Sequence, residues 1–471
     1  MKGGLIVRID EETIEKIRKS LDIVEIVGEY VQLKRQGRDL VGLCPFHSEH
    51  TPSFRVSPEK QLYHCFGCNA GGDLFSFIQE IEGVDFLESV NLLANKADIA
   101  LPDSTNQSNA KDDITQTLYH GMELLSKFYQ YLLHDARYGK KGQTYLNERH
   151  FDESTIKTFQ MGYAVDAWDT ATNLLARRKF PLDKFVDIGI LSRREFDQKY
   201  FDRFRNRVIF PIQDHRGRTV AFAGRVLDNQ TPKYLNSPES NIFHKGKILY
   251  GYHLARSFIK KSSEVVLFEG YVDVIKAHQA GIKNAVASMG TSLTEEQVRV
   301  LTRNVETVII CYDSDKAGTK AAFRAAEMLK GFDGSIKIAR MPQDMDPDDY
   351  IDRYGGERFR NDVLGASLTT MAFKMQYLRY GKNLNDEGER LRYIETVLKE
   401  IAKLNKAVER DHYLRQLSDE FSISLDALKQ QQHQIYRAQK RQDAKEQPRS
   451  IKSGLLPKNR TLFPAYQMAE R

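Results

Sequence analysis

Apolar positions recur every three or four residues over 10–33, where Ile14, Ile17, Leu21 and Val24 predict a helix. The pattern then shortens. From Val41 to Phe66 the chain is β-rich, and Phe54-Arg55-Val56 and Leu62-Tyr63-His64 flank Ser57-Pro58-Glu59-Lys60, which predicts a hairpin. Helices are predicted over 73–79 and 86–97, and the polar, non-periodic stretch 101–113 reads as a linker. Residues 114–180 read as mostly helical and 190–255 as short strands with glycine turns. Next, apolar runs alternate with helical segments: Val265–Phe268 then Val272–Ala280, Val308–Cys311 then Gly318–Leu329, Ile336–Ala339 then Pro347–Tyr354. That alternation predicts a parallel, doubly wound sheet. Helical periodicity returns from Thr369 to Tyr436, and the Lys/Arg/Gln-rich Arg437–Arg460 reads as a flexible tether.

Composition narrows the class. With 471 residues, 41% of them apolar and 28% charged, the chain has the length for several domains and the material for real cores. No stretch approaches the roughly 18 apolar residues of a membrane span, and the start lacks a signal-peptide core. No membrane partner and a cytoplasmic location are expected. Of the four cysteines, Cys44, Cys65 and Cys68 fall within 25 positions, which suggests metal rather than disulfide; Cys311 sits in an apolar strand and reads as core. The net charge is +6, from 70 Lys/Arg and 64 Asp/Glu. Arg193 to Lys247 alone holds twelve basic residues against six acidic ones, an excess as large as the whole chain's. Such a block points to a polyanion partner.

The spacing Cys44-x2-His47, seventeen residues, then Cys65-x2-Cys68 suits a tetrahedral zinc site. Each two-residue gap lets one turn present two ligands, and the predicted hairpin brings the turns together. His64 and His50 are rivals. His64 precedes Cys65 in an extended strand and would face the other way, while His50 breaks the mirrored spacing, so His47 is the expected ligand. One closed, structural Zn2+ is expected. Phe54, Arg55, Lys60, Tyr63 and Phe66 interleave aromatic and basic side chains on the ribbon, a platform for stacking bases, although about half of the aromatics would be core.

Three acidic features follow the predicted parallel strands: Glu269-Gly-Tyr-Val-Asp273, Asp313-Ser-Asp315, and Asp346-Pro-Asp348-Asp349. In doubly wound sheets ligands bind beyond the carboxyl ends of the strands. Carboxylates gathered there repel one another unless hard divalent cations hold them, an arrangement suited to phosphoryl or nucleotidyl transfer. The sequence contains no G-x-x-x-x-G-K-[ST] loop, which excludes a P-loop motor, and neither H-E-x-x-H nor G-x-S-x-G.

Taken together, these motifs resemble the bacterial replicative DNA primases. Cys-Pro-Phe-His47 with His-Cys65-Phe-Gly-Cys68 is similar to that family's zinc ribbon. Glu269-Gly-Tyr-Val-Asp273 with Asp313-Ser-Asp315-Lys-Ala-Gly318 resembles the Toprim signature. Arg203-Phe-Arg205-Asn-Arg207-Val-Ile-Phe-Pro, Gly224-Arg225, Pro232-Lys233-Tyr and Phe243-His-Lys245-Gly resemble the basic block particular to primases. The resemblance implies that Glu269, Asp313 and Asp315 are catalytic and, with Asp346 and Asp348, hold catalytic Mg2+ or Mn2+. It further implies that Arg149, Arg203, Arg205, Arg225, Lys233 and Lys245 bind template, RNA–DNA hybrid or ribonucleoside triphosphate.

The expected fold is α+β and multidomain: a zinc-ribbon domain over 1–100, the linker 101–113, and a mixed α/β RNA polymerase domain. The last comprises a basic block at 114–260, a Toprim core at 261–345 and a helical subdomain at 346–436. A tether over 437–471 would lead toward a helicase-binding domain. Thr461-Leu-Phe-Pro-Ala-Tyr resembles the opening of that domain, so most of it is expected to be missing and helicase docking by this chain is not expected. The activity implied is a monomeric primase, working at the replication fork and making short RNA primers on single-stranded DNA. The same metal chemistry would also serve a nuclease or topoisomerase, and zinc with Toprim would serve a DNA-binding recombination mediator.

Overall fold

A computed structural model describes residues 10–446 apart from 48, 50, 83–85, 100–109, 229–230, 291, 304 and 343–344. The single helix predicted over 10–33 is two, Glu11–Ser20 and Ile23–Gly28. Asp22 divides them: its carboxylate accepts from the Val24 N–H at 2.8 Å and caps the second helix. Strands Lys34–Gln36, Asp39–Gly42, Phe54–Ser57, Leu62–Cys65 and Gly71–Gly72 then form an antiparallel sheet in sequence order. The rings of Phe46, Phe54, Tyr63 and Phe77 lie 5.3–6.2 Å apart between this sheet and the Leu74–Glu82 helix. They anchor a core whose buried members all lie between Ile17 and Ala94.

Most of the linker lies outside the described residues, but 110–113 are already the first turn of the long Ala110–His134 helix. That helix covers one face of an antiparallel sheet ordered Tyr234–Asn236, Thr219–Val226, Arg207–Gln213, Gly162–Ala164. All seven residues of Arg207–Gln213 are buried, because both faces of the strand are covered. Val208, Phe210 and Ile212 point into one core and Ile209 into the other, the two-residue period of a strand.

The third sheet is ordered Ala285–Ala287, Glu264–Phe268, Thr307–Cys311, Ser335–Ile338, Leu368–Thr369. Its first four strands are parallel, as the alternation predicts. The two-residue edge strand Leu368–Thr369 is antiparallel and too short to leave a periodic signal. Val266, Phe268, Ile309 and Cys311 pack on one face together with Phe210, Tyr163, Tyr271 and Ile275. The basic block and the parallel sheet therefore share one core. The opposite face, with Val265, Leu267, Val308 and Ile310, is closed by Ala322, Ala325 and Ala326 of the Lys316–Met328 helix.

A second compact unit begins at Lys374. Helices Glu387–Ala402, Ala407–Phe421 and Leu425–Glu446 pack on one another and bury Tyr393, Val397, Ile401, Leu414, Leu417 and Leu428. The stretch read as a tether is helical as far as Glu446. Lys, Arg and Gln are good helix formers, so a composition rich in them is as compatible with a solvated helix as with a flexible strand. The remainder of the tether, including Thr461–Arg471, lies outside the described residues. No described helix is long and apolar enough to cross a membrane.

Candidate functional site

The hairpin sets the first cluster. Phe54 pairs with Cys65, and alternation along Leu62–Cys65 buries Tyr63 and Cys65 while exposing His64, the orientation expected from the sequence. Cys44, His47, Cys65 and Cys68 each bring a ligand atom within 4.8 Å of the others. The Phe46 N–H points to Cys44 Sγ at 3.4 Å, although burial pushes that thiol up, and those of Gly67 and Cys68 point to Cys65 Sγ at 3.3 and 3.4 Å, where together with Ser53 they favour thiolate. Three sulfurs and an imidazole in this spacing fit Zn2+.

The sequence reading did not single out Glu49. Its Oε2 lies 3.3 Å from His47 Nε2, leaving Nδ1, 3.7 Å from Cys65 Sγ, to face the cluster. Glu49 also accepts from the Cys44 and Ser53 N–H groups at 2.7 and 3.0 Å. An outer carboxylate of this kind fixes a ligand imidazole's tautomer and orientation. Its only sequence signal is its place two residues after His47. The rival His50 lies outside the described residues. On the ribbon, Phe54 and Tyr63 belong to the core, since their strand positions face inward. The exposed platform is Phe66 with Arg55 5.8 Å above its ring and His64 4.7 Å beside it.

The second cluster lies beyond the carboxyl ends of the parallel strands. Glu269 follows Glu264–Phe268, and Asp313 and Asp315 follow Thr307–Cys311. Asp315 caps the next helix by accepting from Gly318 N–H at 2.6 Å. A Cβ on Gly318 would lie 2.4 Å from the Asp313 carbonyl oxygen, so the turn that carries both acids requires glycine there. Asp346 caps Pro347–Tyr354, accepting from Asp349 N–H at 2.7 Å. Burial and then repulsion from Glu269, Asp346 and Asp315 push the Asp313 carboxyl up to about 6. Burial and then Asp315 raise Glu269 as well, against a small opposing pull from Arg324. Asp273, one turn after Glu269, was quoted in the motif without a role; burial, Asp313 and Asp346 push it well above the carboxylate range.

These acids are electrostatic neighbours, but they do not all converge on one point. Among the described residues, only Asp346, Asp348 and Asp349 bring carboxylate oxygens mutually within 4.8 Å. Asp348 is 2% exposed; Arg149 binds one of its oxygens, and the other has no hydrogen-bond partner.

The basic residues divide similarly. Arg225 lies over the rings of Tyr145 and Tyr234, at 5.7 and 5.3 Å, and Lys233 lies 5.9 Å from Tyr234. Tyr234 in turn meets Tyr271, two residues after Glu269. Arg149 and Arg225 both act on the Tyr145 hydroxyl, so this layer joins the basic block to the acids. The buried Nε atoms of Arg149, Arg203 and Arg225 have no hydrogen-bond partner. Arg205 stacks 3.8 Å from the ring centre of Trp168, which is 61% exposed and went unremarked in the sequence although it is the only tryptophan. Arg207 is buried and binds the carbonyls of Gly224 and Pro232, a structural role. Lys245 stands apart in the Lys245–Lys247 turn, whose backbone meets Glu239 and Gln297.

Family models match in chain order: CHC2 zinc finger at 9–109, DNA primase catalytic core N-terminal domain at 128–256, and Toprim-like at 266–351. The chain is 55% identical to the DNA primase of Halalkalibacterium halodurans, over 98% of this chain and 78% of that one. It is 50% identical to the DNA primase of Geobacillus stearothermophilus, over 98% and 77%. The chain belongs to the bacterial DNA primase family. Its activity is accordingly the synthesis of RNA primers for DNA replication. A crystal structure of the Aquifex aeolicus primase zinc-binding and RNA polymerase domains is 29% identical, with a TM-score of 0.56, covering 88% of this chain and all but 2% of that one. A primase catalytic domain bound to single-stranded DNA is 34% identical, with a TM-score of 0.58, over 66% of this chain and 98% of that one.

One expectation is corrected. The model for the DnaB-helicase binding domain of primase matches residues 371–426, so that domain is not largely missing. Its helices carry no chemical motif and share the amphipathic period of any helical subdomain, which is why the sequence reading assigned them to the polymerase.

Two outcomes follow from this geometry. A Cβ at residue 67 would lie 2.5 Å from His47 Nε2, so Gly67→Ala is expected to displace His47 and lower bound zinc, measured by elemental analysis, while the parallel sheet stays folded. Asp313 ionises less readily in the folded chain than in the unfolded one, so its ionisation destabilises the fold as pH rises from 3.8 through about 6. Metal-free Asp313→Asn should therefore exceed the parent in stability above that range, by on the order of 1–2 kcal/mol after screening, with the gain fading in acid. Thermal denaturation in chelator across pH measures it; a gain independent of pH would assign the effect to packing.

Proposed function

We propose that the acids at the strand ends hold Mg2+ or Mn2+ for nucleotidyl transfer, and that the arginine and tyrosine layer beside them holds nucleotide and template. The observation that carries this reading is the juxtaposition of two unsatisfied sets. Partly buried carboxylates repel one another, next to arginines whose buried Nε donors lack acceptors. Cations would relieve the first set and phosphate oxygens the second.

Glu269, Asp313, Asp315 and Asp346 are the proposed metal ligands, with Asp348 at the edge of the site and Asp273 behind it. When bound, such ions neutralise the charge that develops on the attacking and leaving oxygens. The 3′-hydroxyl of one ribonucleotide attacks the α-phosphate of the next triphosphate, and pyrophosphate leaves. Glu269 would stand near that hydroxyl, as metal ligand or as the base that takes its proton. Arg149 would orient the triphosphate, while Arg203, Arg205, Arg225, Lys233 and Lys245 would follow the phosphates of template and hybrid. Trp168, backed by Arg205, offers a base-stacking face for single-stranded DNA. The zinc ribbon, with one structural Zn2+ on Cys44, His47, Cys65 and Cys68, would help select the start site through Phe66, Arg55 and Lys60. Residues 371–426 would dock the replicative helicase, where Tyr380 and Val408 are 77% and 83% exposed.

The test separates chemistry from binding. Glu269→Gln, Asp313→Asn and Asp315→Asn keep side-chain shape and remove charge, so template affinity should survive. Primer synthesis should fall by orders of magnitude, since each ~1.4 kcal/mol of lost transition-state stabilisation is tenfold in rate. Near-normal synthesis by Glu269→Gln would sink its role. Alanine at Arg203, Arg205, Arg225, Lys233 or Lys245 should weaken single-stranded DNA binding regardless of sequence. Each should also flatten the salt dependence by about 0.7 in log K per log salt; unchanged slopes would return these residues to ordinary surface.

A further inference from the structure

Lys276 lies in the middle of the Tyr271–Gln279 helix and is 0% exposed. Lysine is almost never fully buried without partners. Here the ammonium donates to the backbone carbonyl of Arg149 and to Asp352 Oδ1 at 2.5 Å. It also lies 3.7 Å from Asp348 Oδ1 and 4.7 Å from the centre of the Phe151 ring. Burial pulls its pKa down and Asp352 pulls it back up.

Its partners belong to two other elements, the turn after Lys140–Glu148 and the Pro347–Tyr354 helix. Arg149 follows the Lys140–Glu148 helix of the basic block, and the next residue, His150, takes a left-handed φ of 52°. Gln279, one turn after Lys276, donates to the His150 carbonyl at 2.8 Å and accepts from Asp152 N–H at 3.2 Å. The turn that presents Arg149 is thus tied by successive backbone groups to one helix. Asp348 and Asp352, four residues apart on Pro347–Tyr354, face the same helix, and Asp348 also grips the Arg149 guanidinium. That acidic helix begins at Asp346, and the helix carrying Lys276 begins just after Glu269.

We propose that Lys276 is a positioning residue for nucleotidyl transfer: it locks the Arg149 turn to the acidic helix, so that the Arg149 guanidinium and Asp346 are held in fixed relation. The proposal rests on the reading that Arg149 meets the incoming nucleotide. Stability alone does not account for the arrangement, because well-packed apolar residues serve as well as or better than buried ion pairs.

A double-mutant cycle in the full chain tests it, measuring NTP KM and kcat in primer synthesis, with single-stranded DNA affinity by anisotropy as a control. Lys276→Met keeps the unbranched side chain to the ε position and removes the ammonium. It should raise NTP KM about tenfold with a smaller change in kcat and unchanged DNA affinity. Combined with Arg149→Ala it should add nothing beyond Arg149→Ala alone. Equal factors in both backgrounds, or an unchanged KM for Lys276→Met, would overturn the positioning role while leaving Arg149 a nucleotide ligand. An unchanged KM for Arg149→Ala would overturn the nucleotide reading and this proposal with it. If Lys276→Met does not fold, Asp352→Asn removes the charge from the lysine's 2.5 Å partner and runs the same cycle, with a smaller effect in the same direction.

Discussion

Carboxylates gathered beyond one end of a parallel sheet repel one another, and much of this structure can be understood from how it tolerates that repulsion. Asp315 and Asp346 spend one oxygen each on a helix cap, which places negative charge against the positive end of a helix dipole. Asp348 is neutralised by Arg149 and Lys276. Asp313, Glu269 and Asp273 gain less: burial and their acidic neighbours outweigh the pull of Arg324 on Glu269 and of the Gly270 N–H on Asp273, and all three carboxyls are pushed up. The unrelieved acids follow the two central strands of the sheet or begin the helix after one of them, where polar chemistry is concentrated.

The arginines show the complementary economy. Arg207 is fully engaged with carbonyls, whereas Arg203 and Arg225 keep a buried donor idle. An idle buried donor costs stability, and Arg149 shares this feature with Arg203 and Arg225, all three in one block.

What could be read in advance depended on the range of the interaction. The Cys44, His47, Cys65 and Cys68 cluster is set by local spacing, and the parallel strands by runs of apolar residues, so both were visible. Asp22 breaks a helix that periodicity alone would continue, since the cap outweighs the pattern. Glu49 was missed because a carboxylate's grip on an imidazole is decided by the folded loop. In Arg203-Phe-Arg205-Asn-Arg207 the three arginines look alike; only the burial of the following strand makes the third structural. Lys276 left no sign at all. A single lysine in a helix reads as surface charge until Arg149, more than a hundred residues earlier, is seen to reach it.

The shared core also bears on how such a protein can be assembled from parts. Phe210 and Tyr163 of the basic block rest against Tyr271 and Ile275 of the next segment, so a cut between them would leave two wet, apolar faces. The zinc ribbon encloses its own apolar residues within its own stretch of chain. In the language of gene shuffling, the ribbon is a cassette that can be exchanged whole. In this chain the basic block and the parallel sheet form a single folding unit, and either one taken from it without the other would expose its share of the common core to water.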